Sequence, residues 1–303
     1  MIFAVPAWLW AVFTIAASAA QTARNAMQRD LIATIGTAGA THVRFLFALP
    51  FAAAFLLAER LVIGLELPIP GLNSLLWTVM GSTTQMIATA LMLAAMKARS
   101  FVVTTAYTKT EPVLIALFGI LFLHETPTLL VALAILVATS GVMLMSWPAR
   151  MPGNENAARE WTPALIGLGA GAFFAMSGVG YRGGITSLET PSFVLAATTT
   201  LVLGLLMQTV LILGYLSLRD RPLLMAIARN WRPSLFAGFM GAVASQFWFL
   251  AFAISTAAKV RTLALIEVPF AQFVSGRINQ RTTRREFAGM ALILLGVVLI
   301  LNG

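Results

Sequence analysis

Apolar runs of about twenty residues fill the chain from end to end, and each run stops at charged residues or at proline and glycine. The hydrocarbon core of a bilayer needs roughly 20 apolar residues per helix, so this pattern predicts ten membrane-spanning helices. The predicted spans are Pro6–Ala26, Gly36–Leu57, Ser74–Met96, Phe101–Leu123, Thr128–Trp147, Pro163–Arg182, Ser192–Leu218, Pro233–Ser255, Lys259–Ile278 and Arg285–Leu301. Six of the 7 tryptophans fall at span ends, where indole rings prefer the membrane interface, and Trp248 falls in mid-span.

The two halves of the chain resemble each other in the order of their polar residues. When the halves are aligned, Gly81 falls on Gly241, Gln85 falls near Gln246, and Glu111 falls on Glu267. Each half has five predicted spans, and an odd number requires the second half to enter the membrane upside down. We therefore predict an inverted repeat of residues 1–147 and 163–303, joined by a loop at 148–162. In such proteins the substrate site lies near the midplane between the repeats.

The composition leaves no room for a soluble domain. The 303 residues are 59% hydrophobic and 10% charged, with a mean hydropathy of +0.88, and the longest polar stretch is Pro148–Glu160. The segment Met1–Asn25 lacks the charged start of a signal peptide, so we interpret it as the first helix. Cysteine is absent, which excludes disulfides and thiolate metal sites. A net charge of +9 would suggest nucleic acid for a soluble protein; here we expect a lipid bilayer as the partner and no nucleic acid.

Two glutamates lie where a bilayer tolerates them least. Glu111 and Glu267 each fall near the middle of a predicted span, and each is followed closely by a proline. A carboxylate at that depth costs about 2.5–3.5 kcal/mol on insertion scales, so ionisable residues there are functional candidates by default. We expect Glu111 to contact the substrate or a bound cation.

Polar residues cluster on one face of three predicted spans. They could hydrogen-bond neighbouring helices, but three such stripes in one bundle favour the wall of a wet cavity. The members are Thr104, Tyr107 and Thr108 beside Glu111; Thr78, Ser82 and Thr89 beside Gln85; and Thr14, Ser18, Gln21, Thr22 and Asn25 on the first span. From these stripes we take Gln85, Tyr107, Thr108, Ser18 and Gln21 as candidate substrate-binding residues.

The candidate residues of the second half have mostly apolar neighbours. Helical neighbours of Glu267 are Leu263, Ala264, Phe270 and Ala271, and Gln246 lies among similar residues. Such surroundings disfavour a charged carboxyl, so Glu267 is the better candidate for carrying a coupling proton, with Glu111 the second candidate. The alternative for both acids is a structural pair with Lys109, Arg261 or Arg44.

Four further residues complete the candidate substrate site. Gln246 is the counterpart of Gln85, while Trp248 and Tyr181 are aromatic residues inside predicted spans, where packing is the more ordinary role. Arg44 lies about two turns inside its span, where it either reaches the interface or meets an anionic group.

We find no catalytic or metal-binding motif. His42 and His124 form no metal-ligand pattern, and Ser177 has no suitably placed histidine. We therefore expect no enzyme, no cofactor and no metal.

Four segments resemble the drug/metabolite transporter superfamily, in particular its ten-helix branch with two EamA-type repeats. They are "THVRFLFALPFAA", "TALMLAAMKARSFVVTTAYTKTEPV", "LFLHETPTLLVALAILVATSGVML" and "VRTLALIEVPFAQFVSGRINQRTTRREFAGMALILLGVVLIL". One departure is that Gln280 and Arg281 stand where the first repeat has His124 and Glu125, so that acid is left out of the site. The resemblance implies alternating access, amino-acid-like substrates and export.

Together these observations predict a bacterial inner-membrane transporter of a small polar metabolite that carries an amine. Proton coupling and simple exchange both remain open. The alternatives are uptake of an anionic metabolite through Arg44 and Lys109, a membrane-embedded enzyme, or a lipid- or channel-like protein. We expect it to function as a monomer, with a dimer as the alternative.

Basic residues are distributed unevenly between the loops. Loops after odd-numbered spans hold fourteen basic residues and loops after even-numbered spans hold four. Positive charge stays cytoplasmic in short loops, so this distribution predicts periplasmic termini, although the family that the chain resembles generally has cytoplasmic termini. Loops after odd-numbered spans hold Arg24, Arg29, Lys97, Arg99, Arg150, Arg159, Arg219, Arg221, Arg229, Arg232, Arg277, Arg281, Arg284 and Arg285; loops after even-numbered spans hold Arg60, Arg182, Lys259 and Arg261.

Overall fold

The computed structural model describes residues 5–98, 110–146, 161–268 and 283–303, and every regular element in these ranges is a helix. The helices are α1 Leu9–Leu46, α2 Leu49–Ile63, α3 Leu72–Ala98, α4 Glu111–Leu123, α5 Leu129–Ser146, α6 Trp161–Thr186, α7 Phe193–Arg219, α8 Arg221–Arg229, α9 Trp231–Ile254, α10 Ala257–Leu263 and α11 Arg284–Leu301. A single 3-10 turn, Ala264–Ile266, follows α10. The predicted all-helical class is confirmed for these residues.

Several helices are long and apolar enough to cross a membrane. Within the described ranges, four stretches meet this criterion: Ala33–Ile63, Leu72–Ala95, Phe193–Arg219 and Trp231–Ile254. Glu111–Leu123 and Leu129–Met145 are shorter apolar helices. The total of ten helices and the inverted repeat stay predictions, because parts of the fourth and ninth predicted spans, 101–109 and 269–278, lie outside the described residues.

The first two predicted spans are divided differently in the structure. A loop was predicted between residues 26 and 36, but helix α1 continues through it and bends at Gly36, whose φ of 71° is accessible to glycine. The second predicted span breaks instead at Phe47–Ala48. Pro50 lies in the first turn of α2; its ring has no N–H and would clash with a helical carbonyl four residues earlier, so α2 starts as a separate helix.

Helix α8 was missed in the sequence pattern. It lies between the seventh and eighth predicted spans and is short and amphipathic, with Ile227 buried. The Asp220 side chain accepts a hydrogen bond from the backbone N–H of Leu223, and Pro222 fits the first turn of the helix. An Asp-Arg-Pro sequence at the end of a span was the available signal.

The described chain forms two compact units, each drawing on both halves of the sequence. Unit 1 comprises Met1–Thr83 and Gly180–Ser255, and unit 2 comprises Thr84–Val179 and Thr256–Gly303. Helices α3 and α6 run from one unit into the other along the chain.

Unit 1 is built around the packing of α9 against α1. Gly238 makes this approach close, because a Cβ at that position would fall 2.6 Å from the carbonyl carbon of Phe47. Helix α7 packs against α9 and also against α2. Unit 1 therefore brings side chains from α2, α7 and α9 into one neighbourhood.

Unit 2 is built around the packing of α5 against α11. A Cβ on Gly141 would fall 2.6 Å from the Gly289 carbonyl oxygen, and one on Gly296 would fall 2.6 Å from the Ala138 Cβ. Small residues allow membrane helices to approach this closely. Helix α10 packs against α4, α5 and α11, and its contact with α4 positions the charged site of this unit.

Candidate functional site

Unit 2 contains an ion pair between two predicted spans. Nε of Arg261 on α10 lies 3.1 Å from Oε1 of Glu111 on α4, and the two side chains are 20% and 16% exposed. The contact is an ion pair, and its geometry is not that of a hydrogen bond. Of the three basic residues considered as partners of Glu111, Arg261 therefore forms an ion pair with it in the structure.

Helix ends stabilise both members of this pair. Glu111 lies in the first turn of α4, just before Pro112, and Arg261 lies in the last turn of α10. A helix carries partial positive charge at its N-terminus and partial negative charge at its C-terminus, which favours an acid at the first and a base at the second. The local sequence thus supports both charges before they pair.

Two other predicted site residues belong to unit 2. Gln85 lies half-buried on α3, and Glu267 lies half-buried just after the 3-10 turn that follows α10. Both residues have interaction partners. Tyr107, Thr108 and Lys109 lie outside the described residues, so the polar stripe beside Glu111 stays a prediction.

Unit 1 contains a second acidic cluster, which the sequence analysis missed. Nε2 of Gln246 on α9 donates to Oε1 of Glu59 on α2 at 3.0 Å and to Oγ1 of Thr198 on α7 at 2.6 Å. The predicted candidate Gln246 is thus joined to an acid that no motif pointed to. Glu59 was missed because the second span was predicted to end at Leu57, whereas α2 continues to Ile63.

Two predicted candidates on α1 and α9 contact each other. Nε1 of Trp248 donates to Oε1 of Gln21 at 3.3 Å, and the indole lies against Phe252 with ring centroids 6.4 Å apart. Ser18, one turn before Gln21, is buried, and its hydroxyl has no hydrogen-bond partner in the described part of the chain. This part of the predicted first-span stripe faces the interior of unit 1.

Tyr181 lies in a buried hydrogen-bonded group. Its hydroxyl accepts from Nε2 of Gln208 at 3.0 Å and is 3.5 Å from Oγ of Ser82, and its ring lies 4.6 Å from that of Phe249. Buried polar groups with such partners hold helices together, so these contacts account for Tyr181 as a packing residue.

Two arginines of α1 approach the same place on α9. Measured from the Cβ position of Gly241, Cδ of Arg24 lies at 3.6 Å and Cβ of Arg44 at 4.0 Å. Arg24 is buried, and the guanidinium of Arg44 lies 4.4 Å from the centre of the Phe45 ring. In the sequence analysis Arg24 was counted with the basic residues of the first loop, because it lies two residues before the predicted end of its span at Ala26.

Groups of three or more histidine, aspartate or glutamate side chains that could hold a metal ion do not occur within the described ranges. The two arrangements with evident chemistry are therefore the ion pair of unit 2 and the acid–amide–hydroxyl cluster of unit 1. In both arrangements an acid lies on an apolar helix, where such a group is costly and marks binding or proton pathways.

The described ranges hold four apolar stretches long enough to cross a membrane, as expected of a multi-pass membrane protein. Residues 6–147 match the model of the EamA-like transporter family, which is part of the drug/metabolite transporter superfamily. The resemblance given by the sequence motifs is thereby confirmed.

The fold is also found among solved structures, of which 27 chains match this one. One of them, titled "Crystal structure of protein", superposes with a TM-score of 0.62 at 14% identity, and the match covers 96% of each chain. At this identity the likeness concerns the fold alone. A comparison with curated proteins gave no match.

Proposed function

We propose that this protein is a secondary transporter of a small amino-acid-like metabolite, working by alternating access in the inner membrane of a bacterium, with export as its direction. The observation that carries the proposal is the pair of Glu111 on the apolar helix α4 and Arg261 on α10, 3.1 Å apart and each partly exposed. The family match of residues 6–147 supports the transporter class.

The ion pair matches the charges of a free amino acid. An incoming ammonium group can take the place of the guanidinium at Glu111, while the substrate carboxylate takes the place of Glu111 at Arg261. Removing one member of a buried pair costs several kcal/mol unless its charge is replaced, so a zwitterion that supplies both charges avoids most of that cost. A simple amine supplies only the first replacement and should bind less tightly.

Coupling to protons is assigned to Glu267 in this proposal, because its helical neighbours Leu263 and Ala264 are buried and apolar. Counterflow and pH-gradient-driven uptake, measured side by side in proteoliposomes, test this role. Glu267→Gln should flatten the pH dependence of flux. Identical pH profiles for the two proteins would remove Glu267 from the coupling mechanism and leave exchange.

Transport of an anionic metabolite is the second candidate function. It is supported by Arg24 and Arg44, which approach the same glycine of α9 in unit 1. An anion site of this kind predicts that Arg44→Gln lowers the affinity for dicarboxylates or phosphate esters but leaves neutral amino acids unaffected.

Reconstitution into liposomes with a panel of labelled amino acids, amines and organic acids tests the proposal directly. The expected result is saturable uptake that shows counterflow, with amino acids preferred over the matching amines. Non-saturable flux would indicate a channel-like protein, and chemical conversion of a panel member would indicate an enzyme. Either outcome would contradict the proposal.

We propose, from the loop charges, that both termini are periplasmic. A C-terminal alkaline phosphatase fusion should then be active and a C-terminal green fluorescent protein fusion dark. The opposite pair of results would overturn this orientation.

A further inference from the structure

The cluster of Glu59, Gln246 and Thr198 has fewer hydrogen-bond donors than acceptors. Both donor hydrogens of the Gln246 amide are used, one on Glu59 and one on Thr198, and the Thr198 hydroxyl itself donates to the Val194 carbonyl at 3.0 Å. Oε2 of Glu59 and Oε1 of Gln246 are buried and have no hydrogen-bond partner within the described residues. The Thr198 hydroxyl also lies near the Glu59 carboxyl, but Oε2 still has no partner. Buried polar atoms normally have partners, so the cluster lacks a donor.

The shortage does not depend on how the Gln246 amide is oriented. If its nitrogen and oxygen were exchanged, the amide oxygen would lie 3.0 Å from Oε1 of Glu59. Two acceptors at that distance need a proton between them. Either orientation therefore leaves the cluster one donor short.

Charged side chains from the surrounding helices do not supply what is missing. Helices α7 and α9 pack against α2, and their titratable or charged residues are Tyr215, Arg219 and Arg232. At 1.5 Å per residue these lie about 20 Å or more along their helices from Thr198 and Gln246.

The charged residues near the ends of these helices have other surroundings. Arg60 follows Glu59 on α2 and is exposed, as are Glu66 and Glu189 in the neighbouring loops. Arg182 of α6 donates to the Phe252 carbonyl near the end of α9. Arg24 and Arg44 of α1 approach Gly241, five residues before Gln246 on α9, but within the described residues neither they nor any other basic side chain forms an ion pair with Glu59.

Glu59 also lies within the apolar stretch Ala33–Ile63, four residues before its end, which corresponds to a depth of about 6 Å along α2. An ionised carboxylate in such a place costs several kcal/mol when no positive charge accompanies it. The donor that Oε2 of Glu59 lacks must also fit into the space around this oxygen, which is already buried. A proton adds no volume, whereas an ammonium group or a metal ion would have to displace side chains.

We propose that Glu59 is a proton-binding site, with the proton held on its carboxyl group between α2, α7 and α9. The carboxylate takes the proton from water, and no other bond forms or breaks. Separation of α2 from α7 and α9 would wet the carboxyl and release the proton. This assignment rests on the proposed transport function for its biological role and adds to that function a proton site in unit 1.

Infrared spectroscopy of the purified protein in lipid tests the assignment, because neutral and ionised carboxyls absorb at different frequencies. The expected result is a neutral-carboxyl band at neutral pH that loses part of its intensity in Glu59→Gln. The matched control is Glu66→Gln, which removes an exposed acid three residues beyond the end of α2 and should leave the band unchanged.

A second variant retains Glu59 and changes its surroundings. Thr198→Val removes the hydroxyl and should shift the frequency of the Glu59 band while leaving its intensity. Identical spectra of the wild-type protein and Glu59→Gln at neutral pH would overturn the assignment, as would loss of the band on adding sodium ions at constant pH. These spectra need no substrate, so a failure of the transport proposal would leave their result unchanged.

Discussion

The two units hold their internal acids in different ways. In unit 2, Glu111 has the guanidinium of Arg261 3.1 Å away, and helix ends support both charges. In unit 1, the partners of Glu59 are an amide and a hydroxyl, and one oxygen of its carboxyl has no partner within the described chain. Both acids lie on apolar helices of one protein, so the difference comes from their immediate neighbours.

This contrast separates two kinds of chemistry. A carboxylate with an exchangeable basic partner can accept a cationic group of a substrate in place of that partner. A carboxyl surrounded by neutral groups can bind and release a proton. We therefore assign substrate charge to Glu111 and Arg261, and we assign to Glu59 a proton site in unit 1 in addition to the one proposed at Glu267.

The largest expected effect comes from removing one charge of the pair. Arg261→Leu leaves Glu111 without its cation and should destabilise the protein by on the order of 3 kcal/mol, because breaking a buried pair leaves an uncompensated charge. Thermal unfolding in detergent measures the loss, with Lys259→Leu on the same helix as the control. The double variant Glu111→Gln with Arg261→Leu should recover part of the stability; an unchanged Arg261→Leu midpoint would contradict the pairing.

A smaller loss of stability is expected from disturbing the packing of α9 against α1, which positions the cluster of Glu59, Gln246 and Thr198. Gly238→Ala on α9 would push a methyl group against the backbone of Phe47 and should cost about 1–3 kcal/mol, as overpacking does. Gly241→Ala is the matched control, since the nearest atom to its Cβ position, the Arg44 carbonyl oxygen, is 3.5 Å away. Equal unfolding midpoints for the two variants would mean that α9 does not pack against α1 this closely.

The smallest expected effect concerns Glu59 itself. Glu59→Leu removes the acceptor of the Gln246 amide and should cost about 1 kcal/mol, the usual value for a lost neutral hydrogen bond. Glu59→Gln keeps an acceptor and resembles a neutral carboxyl, so its unfolding midpoint should stay near that of the wild-type protein. A drop for Glu59→Gln as large as that for Arg261→Leu would indicate that Glu59 is charged and ion-paired.

The sequence predicted the helices well and their breaks less well. Apolar runs of span length identified α3, α5, α7, α9 and α11 within a few residues, because hydrophobicity determines which segments can lie in a membrane. The bend at Gly36 and the break before Pro50 depend on single backbone positions, which run length does not report. Glu59 was missed for a separate reason, because the second span was predicted to end at Leu57 and α2 continues to Ile63.

The candidate site was predicted in part. Intramembrane charge pointed to Glu111, and the alignment of the halves pointed to Gln246, because both signals are present in the order of residues along the chain. The partners Arg261, Glu59 and Thr198 lie 48 or more residues away along the chain, and helix packing determines which of them meet. Arg261 was named as one of three possible partners of Glu111, but the sequence did not show which of the three pairs with it, and it did not point to Glu59 or Thr198.

Counterflow of an amino-acid substrate by Glu111→Gln and Glu59→Gln, reconstituted in parallel with the wild-type protein and Glu66→Gln, tests the separation of roles most directly. Counterflow exchanges labelled for unlabelled substrate and needs no net proton movement, so Glu59→Gln and Glu66→Gln should retain it. Glu111→Gln should lose about tenfold or more in affinity, since a hydrogen bond to a charged group contributes roughly 1.5–3 kcal/mol. Wild-type counterflow by Glu111→Gln, or its loss in Glu59→Gln, would contradict the account.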